Sequence, residues 1–274
     1  MTATVSVIIP THNRAHVIER AIGSVLAQDY PIHEIIVVDD CSTDNTARLV
    51  RALPGPIRYL RMERNSGSQL ARNAGIEAAC GDYLAFLDSD DFWHPHKIRL
   101  QMARAMDAGT DVAVTCGYRH GDEATGDMLM PTAEIRLEQV MVYNFIGPTS
   151  NLLVARAMIA VAGGFDPAMP ACQDWELCIR LLQIGRLLTA TEILTYQDVD
   201  DPSRITRNAS KVMAGHRRIY RLIRQTPAFT AMPAWKRLMV RFLQMRKLRI
   251  IASGAHPRSA ADIRPIGVLA SPTN

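Results

Sequence analysis

Long apolar runs are missing from this sequence. No stretch approaches the ~18 consecutive apolar residues of a membrane-crossing helix, so no transmembrane span is expected. A basic, cleavable leader is missing too. The chain enters Val5-Ser6-Val7-Ile8-Ile9 almost at once, and no signal peptide is expected. Cysteine is sparse. Cys41, Cys80, Cys116, Cys172 and Cys178 make an odd set with no C-x-x-C pair, which speaks against structural zinc and a disulfide framework and for reduced thiols. No G-x-G-x-x-G follows the first apolar run, which removes the dinucleotide-dependent oxidoreductases. What remains is ordinary for a globular chain: 274 residues, 48% apolar and 21% charged. That suits one large domain, or one domain and an appendage, and excludes a coiled-coil rod, collagen and wholesale disorder.

Acidic residues are absent from one region. Between Pro202 and Ala261 there are 14 Lys and Arg and no Asp or Glu, out of 31 basic residues in all. The rest of the chain carries the 27 acidic residues and is net negative, although the total is +4. An acidic body with a basic C-terminal segment points to a polyanionic partner for that segment, a membrane surface or nucleic acid. Nucleic acid is the poorer fit, because the body would repel it and no recognition motif is present.

Periodicity alternates along the first half. Val5–Pro10 reads as a buried strand, and Val17, Ile18, Ala21, Ile22, Val25 and Leu26 recur at helical spacing. Strands are expected at 34–39, 57–62, 83–87 and 112–116, with helices from Ser42 or Thr43 to Leu53, from Ser66 to Ala79 and from His96 to Ala108. Such a rhythm predicts an α/β fold with a mostly parallel sheet, whose ligands bind at the carboxyl ends of the strands. Residues 120–170 are less periodic and are expected to shape a cleft.

Polar clusters occupy those strand ends. Pro10-Thr11-His12-Asn13-Arg14 opens a helix, where free backbone amides suit a diphosphate. Val38-Asp39-Asp40-Cys41-Ser42-Thr43-Asp44 offers either a carboxylate for a base or ribose, or a helix cap. In Asn65-Ser66-Gly67-Ser68-Gln69-Leu70-Ala71-Arg72-Asn73-Ala74-Gly75, the glycine permits close approach and Arg72 lies one turn into the helix. Asp88-Ser89-Asp90-Asp91 crowds three carboxylates at the end of a buried strand. They repel one another unless a cation lies among them, and an oxygen-only set suits Mg2+ or Mn2+. Finally, Cys172-Gln173-Asp174-Trp175-Glu176-Leu177 puts Asp174 at a helix start, where it is either an N-cap or a general base. Trp175 beside it is either core or a platform for a sugar.

Taken in order, these segments resemble the family 2 glycosyltransferases over roughly residues 4–195. The resemblance implies the GT-A fold: a Rossmann-like, mostly parallel sheet with flanking helices. It implies inverting transfer of a sugar from a nucleotide-diphosphate donor, a UDP-sugar, to an acceptor hydroxyl in polysaccharide or glycolipid assembly. By the same resemblance, Pro10, Thr11, Asn13 and Arg14 line the nucleotide, Asp40 binds the base with Asp39 beside it in the nucleotide-sugar site, and Asn65, Gly67 and Arg72 lie near the donor. Asp88 and Asp90 form the D-x-D pair, with Asp90 on the Mn2+ or Mg2+, Asp88 toward metal or ribose, and Ser89 between them. Asp174 is implied as the catalytic base, with Trp175 and Glu176 near the acceptor. Many relatives place a histidine after the last body strand; here Tyr196-Gln197-Asp198-Val199-Asp200-Asp201 has none, which leaves a third metal ligand open. A non-catalytic nucleotide-sugar-binding or scaffold protein of the same fold is the competing reading.

The expected organisation is a catalytic domain over 1–201, with a nucleotide-sugar half to about 118 and an acceptor half over 119–201, and then a basic, mainly helical extension over 202–274. In the extension, residues 210–224 place Val212, Ile219, Leu222 and Ile223 opposite Arg217, Arg218, Arg221 and Arg224. After Pro233, Trp235, Leu238, Met239 and Phe242 oppose Lys236, Arg237 and Arg241. Either these helices dock on the body, or they bring a cytoplasmic enzyme to an anionic membrane face where a lipid-linked acceptor lies.

Overall fold

The computed structural model describes residues 3–109, 111–120, 128–198 and 208–253. The expected domain boundary at 201/202, Asp200 and Asp201 lie outside them. The first half follows the expected rhythm: β1 (Val5–Thr11), α1 (Ile18–Leu26), β2 (Glu34–Asp39), α2 (Thr46–Ala52), β3 (Ile57–Arg61), α3 (Ser68–Ala78) and β4 (Tyr83–Phe86). Strands β3, β2, β1 and β4 lie side by side and parallel, with Thr11 level with Asp39 and Ile8 level with Phe86. Residues of β1, β2 and β4 are buried along their whole length, because helices cover both faces of this half. Helix α1 buries Ile18, Ala21, Ile22 and Val25, the stripe its spacing predicts. Each of the Ile and Val side chains contributes about 1.5–3 kcal/mol on burial. Helix α2 starts at Thr46, later than expected, because the Ser42 hydroxyl accepts the Asn13 N–H instead of capping.

The second half departs from an all-parallel sheet. After β5 (Phe92–Trp93), α4 (Lys97–Met106) and β6 (Val112–His120) come short strands β7 (Met128–Leu129) and β8 (Glu134–Ile135), then two 3-10 turns at Leu137–Val140 and Thr149–Asn151. Strand β9 (Leu153–Ala155) inserts antiparallel between β4 and β6. Helices α5 (Arg156–Ala162) and α6 (Gln173–Leu181) precede β10 (Arg186–Gln197), which runs parallel to β6 and antiparallel to β5 and β8. The sheet order is β3-β2-β1-β4-β9-β6-β10-β5 and its pairing is mixed. Among the described residues between β6 and β9 there are short strands and 3-10 turns but no crossover helix to bring β9 round in parallel.

Helices α7 (Ala209–Gln225), α8 (Pro227–Thr230) and α9 (Ala234–Ala252) follow. The apolar face of α7 is docked: Val212, Ile219, Tyr220 and Ile223 are buried, and the Tyr220 hydroxyl donates to Val142 O. Two of its arginines are engaged as well. Arg218 pairs with Asp166 at 2.6 Å, and Arg224 donates to Gln244 of α9. For α7, docking on the body is what the structure shows. Among the described residues, no helix is long and apolar enough to cross a membrane.

Candidate active site

Four loops meet above the carboxyl ends of β1, β2 and β4. The first two are stitched together by polar side chains. His12 Nδ1 lies 2.8 Å from Asp40 O, and the Asn13 side-chain Oδ1 accepts the Thr43 N–H at 2.8 Å. Asn13 and Cys41 have φ of 53° and 65°, and Cys172 has 62°. Among the described residues these are the only non-glycine left-handed positions, two in the loops after β1 and β2 and one directly before α6. Left-handed backbone is costly outside glycine and collects at sites whose geometry is held by surrounding contacts.

Several expected ligand contacts turn out to be internal struts. Pro10 is buried within β1. Asp39 is 0% exposed; its carboxylate accepts from Ser42 N at 2.7 Å and from the Tyr59 hydroxyl, with Arg61 nearby. It braces β2 against its loop and has no surface for a nucleotide. Asp40 accepts from Ser66 N and Gly67 N, both at 2.7 Å, so it ties the third loop to the second. Gly67 has φ of +94°, which favours glycine on backbone grounds. Thr11 carries a buried hydroxyl with no hydrogen-bond partner. Arg14 and Asn65 lie at the rim, Asn65 with its amide 3.0 Å from His12 Nε2.

Arg72, Asp88 and Asp174 come together from three separate segments. Arg72 is 3% exposed and pairs with Asp88 at 2.5 Å, its guanidinium lying over the Phe165 ring. Its Nε and Nη1 are buried without an acceptor. Asp174 lies in the first turn of α6 and accepts its neighbour Trp175's N–H at 2.8 Å. The Asn144 amide approaches its other oxygen at 3.4 Å. Desolvation lifts the Asp174 pKa to about 6; the Trp175 N–H opposes the rise, Asp88 adds to it and Arg72 subtracts from it.

The acidic loop is divided between roles. Asp91 is 2% exposed and accepts from the Ser150 hydroxyl, which itself accepts from Asp88 N at 3.1 Å. Ser89 is buried. Asp88 has one oxygen on Arg72, and Asp90 is partly exposed, with its backbone carbonyl accepting from Arg20. The same Arg20 pairs with Asp198 at 2.9 Å. Among the described residues there is no cluster of three or more metal-type side chains. The carboxylate oxygens of Asp88 and Asp90 are of the donor type that hard divalent cations take, although one oxygen of Asp88 is engaged by Arg72.

Trp175 and Glu176 are corrections. Trp175 is 1% exposed, donates to Val140 O and packs edge-on against His216 and Tyr220, so it offers no face to a sugar. Glu176 is buried in an ion pair with Arg180 at 2.6 Å. Their positions i+1 and i+2 from Asp174 turn them inward on α6. The site residues that sequence reasoning missed are Asp91, Ser150 and Asn144. Asp91 lay inside a recognised motif; Ser150 and Asn144 stand in the aperiodic region, where spacing carries no signal.

Comparison with known proteins identifies the chain. The model of glycosyl transferase family 2 matches residues 6–159. This chain belongs to that family. Putative colanic acid biosynthesis glycosyl transferase WcaA of Escherichia coli is 31% identical over 205 residues, 69% of this chain and 71% of its own. Succinoglycan biosynthesis protein ExoO of Rhizobium meliloti is 47% identical over 111 residues, 40% of this chain, and putative teichuronic acid biosynthesis glycosyltransferase TuaG of Bacillus subtilis 42% over 117 residues, 42% of this chain. The matched stretches span 32% and 46% of those two relatives' lengths. The fold is that of S. aureus TarS, crystallised with UDP-GlcNAc: TM-score 0.70 at 18% identity, over 93% of this chain and 74% of that one. The family 2 chain thus has the GT-A architecture its sequence implies, with a mixed sheet.

Proposed function

We propose that this family 2 chain is an inverting, metal-assisted glycosyltransferase, moving a sugar from a UDP-sugar to an acceptor hydroxyl in cell-surface polysaccharide or glycolipid assembly. The observation that carries the reading is Asp174. A carboxylate with its pKa at about 6 stands beside the Arg72–Asp88 pair at the mouth of the parallel sheet. A base poised near neutral pH, within reach of the loop that would hold the donor, suits removal of an acceptor proton. TarS binds UDP-GlcNAc in the same architecture, and the named relatives work in polysaccharide assembly, which supports both donor and pathway class.

Each residue has a task in this reading. Asp174 takes the acceptor's proton as that oxygen attacks the anomeric carbon from the face opposite the diphosphate; one displacement inverts the centre. Asn144 orients the Asp174 carboxylate. Arg72 fixes Asp88 and lends positive charge to the donor end. Asp40 holds the Asn65–Gly67 loop against the base, and the amides after β1 face the diphosphate. Asp90 and Asp88 would hold Mn2+ or Mg2+, which, when bound, neutralises charge on the departing diphosphate. A cytoplasmic location is part of the same proposal, and five free cysteines are compatible with such a reducing compartment.

The test is incubation with a panel of UDP-sugars, acceptor and Mn2+, reading UDP release and the anomeric configuration of the product. Transfer with inversion is expected. Donor binding with neither transfer nor hydrolysis would instead identify a binding or scaffold protein.

A further inference from the structure

Helix α9 is docked by one face and bare on the other. Val240, Gln244, Lys247 and Ile251 are buried, and Gln244 donates to Met141 O at 2.9 Å. Directly opposite, Trp235, Leu238, Phe242 and Met245 are 57%, 69%, 59% and 51% exposed. Their spacing of three, four and three residues aligns them as one continuous stripe along the helix. Arg241 and Arg246 flank that stripe on either side, and Arg249 extends its line one turn further; all three are exposed. No acidic residue occurs in α7, α8 or α9.

We infer that the α9 stripe is a membrane-docking surface that lies flat on an anionic lipid face. An exposed apolar row between arginines matches an interfacial helix, its apolar side in the acyl boundary and its cations at headgroup level. Trp235 suits the boundary, since its ring is apolar and its N–H polar. A second copy of the chain is the other apolar partner, but pairing the stripes would bring Arg241, Arg246 and Arg249 of both copies together with no carboxylate on either helix. Charge complementarity therefore selects lipid. The net-negative body is repelled by the same surface, so the docked orientation is set by α9.

The position of α9 gives this docking a use. Its inner face rests on the segment that carries Met141, Val142 and Tyr143, with Lys247 over the Tyr143 ring at 5.1 Å. The next residue, Asn144, touches Asp174. A lipid surface on the outer side of α9 is thus separated by that one helix from the segment that carries Asn144, a placement that suits a lipid-linked acceptor. This last step rests on the transferase reading; the docking itself does not.

The experiment is co-sedimentation of the full chain with phosphatidylcholine vesicles and with phosphatidylcholine–phosphatidylglycerol vesicles, at low and high salt, without substrates. The wild type should pellet with the anionic vesicles, less so at high salt. Trp235→Gln/Leu238→Gln/Phe242→Gln should lower the partition coefficient about tenfold or more, and Arg241→Gln/Arg246→Gln/Arg249→Gln should remove the preference for anionic lipid. Both act on exposed residues, and an unchanged thermal midpoint checks the fold. Equal pelleting of wild type and the apolar triple variant, or no preference for anionic vesicles, overturns the proposal. So does light scattering that shows a dimer broken by the triple variant, because the stripe is then a self-interface. Loss of transfer activity in solution with partitioning intact would count against the enzyme and leave the docking surface standing.

Discussion

Asp174 carries two opposed demands. It must be ionised to take a proton, yet its surroundings favour the neutral form, hence a pKa of about 6. Transfer should rise with pH and level off above about 6, as kcat/KM measured across pH reports for the free enzyme. Asp174→Asn is nearly isosteric and cannot accept a proton; it should cut kcat by about 10²-fold or more while donor affinity by calorimetry stays put. Wild-type turnover in that variant would move the base elsewhere. The sign of the stability effect follows from the same shift. A raised folded pKa favours the folded state most below the ordinary value of 3.8, and that contribution is lost as pH rises through about 6. Asp174→Asn should therefore raise Tm above pH 6 and leave it little changed in acid. At the metal-type carboxylates, Asp90→Asn should abolish the dependence of donor binding on Mn2+ and leave the melting curve intact. Full activity of the wild type in excess chelator would defeat that assignment.

At the scale of elements, the site depends on how the loops are fastened. Ser150 in its 3-10 turn bonds both Asp88 N and the Asp91 carboxylate, and its carbonyl accepts from Trp93 at 2.9 Å. Ser150→Ala leaves Asp91 buried without that donor, a cost of about 1–3 kcal/mol, and should loosen the acidic loop. Urea unfolding would read the first effect, and weaker donor binding with Asp174 intact the second. Packing of α3 on β1 is as tight: a Cβ at Gly75 would clash with the Ile8 side chain, so Gly75→Ala should destabilise the fold by about 1–3 kcal/mol. Along α7, a Cβ at Gly215 would lie 2.6 Å from Ala171 O, three residues before Asp174. This contact couples the C-terminal helices to the base. The body is therefore not separable from the basic segment at the level of packing, since α7 covers Trp175.

For the whole molecule, an unused buried charge shapes the response to pH. Lys97 is 0% exposed, 2.7 Å from Gln101 Oε1 and above the Trp93 ring, and desolvation lowers its pKa to about 8. A lowered folded pKa for a lysine means the folded state gains stability as pH rises from about 8 toward the ordinary 10.5. Lys97→Met should remove that alkaline gain, which chemical unfolding at pH 7 and pH 10 would show. At neutral pH the substitution relieves a buried charge worth about 3 kcal/mol from the size of the shift. Equal pH dependence in the two proteins would mean that Lys97 is not the titrating group.

The sequence by itself determined the parallel half of the molecule. Short β-branched apolar runs such as Ile35–Val38, alternating with helical periods, read as strands covered on both faces, and polar clusters following them as the sheet's ligand-binding edge. The places of Asp88, Asp90 and Asp174 in the fold were legible because each follows or opens an element with a clear period, and that of Arg72 because it lies within one. Tertiary structure decided the rest. Strand β9 is three residues long, and its antiparallel insertion depends on the path of an aperiodic segment. Whether a carboxylate meets a ligand or braces a loop is a matter of neighbours distant in sequence: Asp39 meets Tyr59 and Asp40 meets Gly67. The two C-terminal helices show the same limit. Both read as apolar on one side and basic on the other, yet α7 buries its apolar face while α9 leaves Trp235, Leu238 and Phe242 outside. A helical period gives the width of a stripe, and only the shape of the surface it meets fixes which stripe is covered.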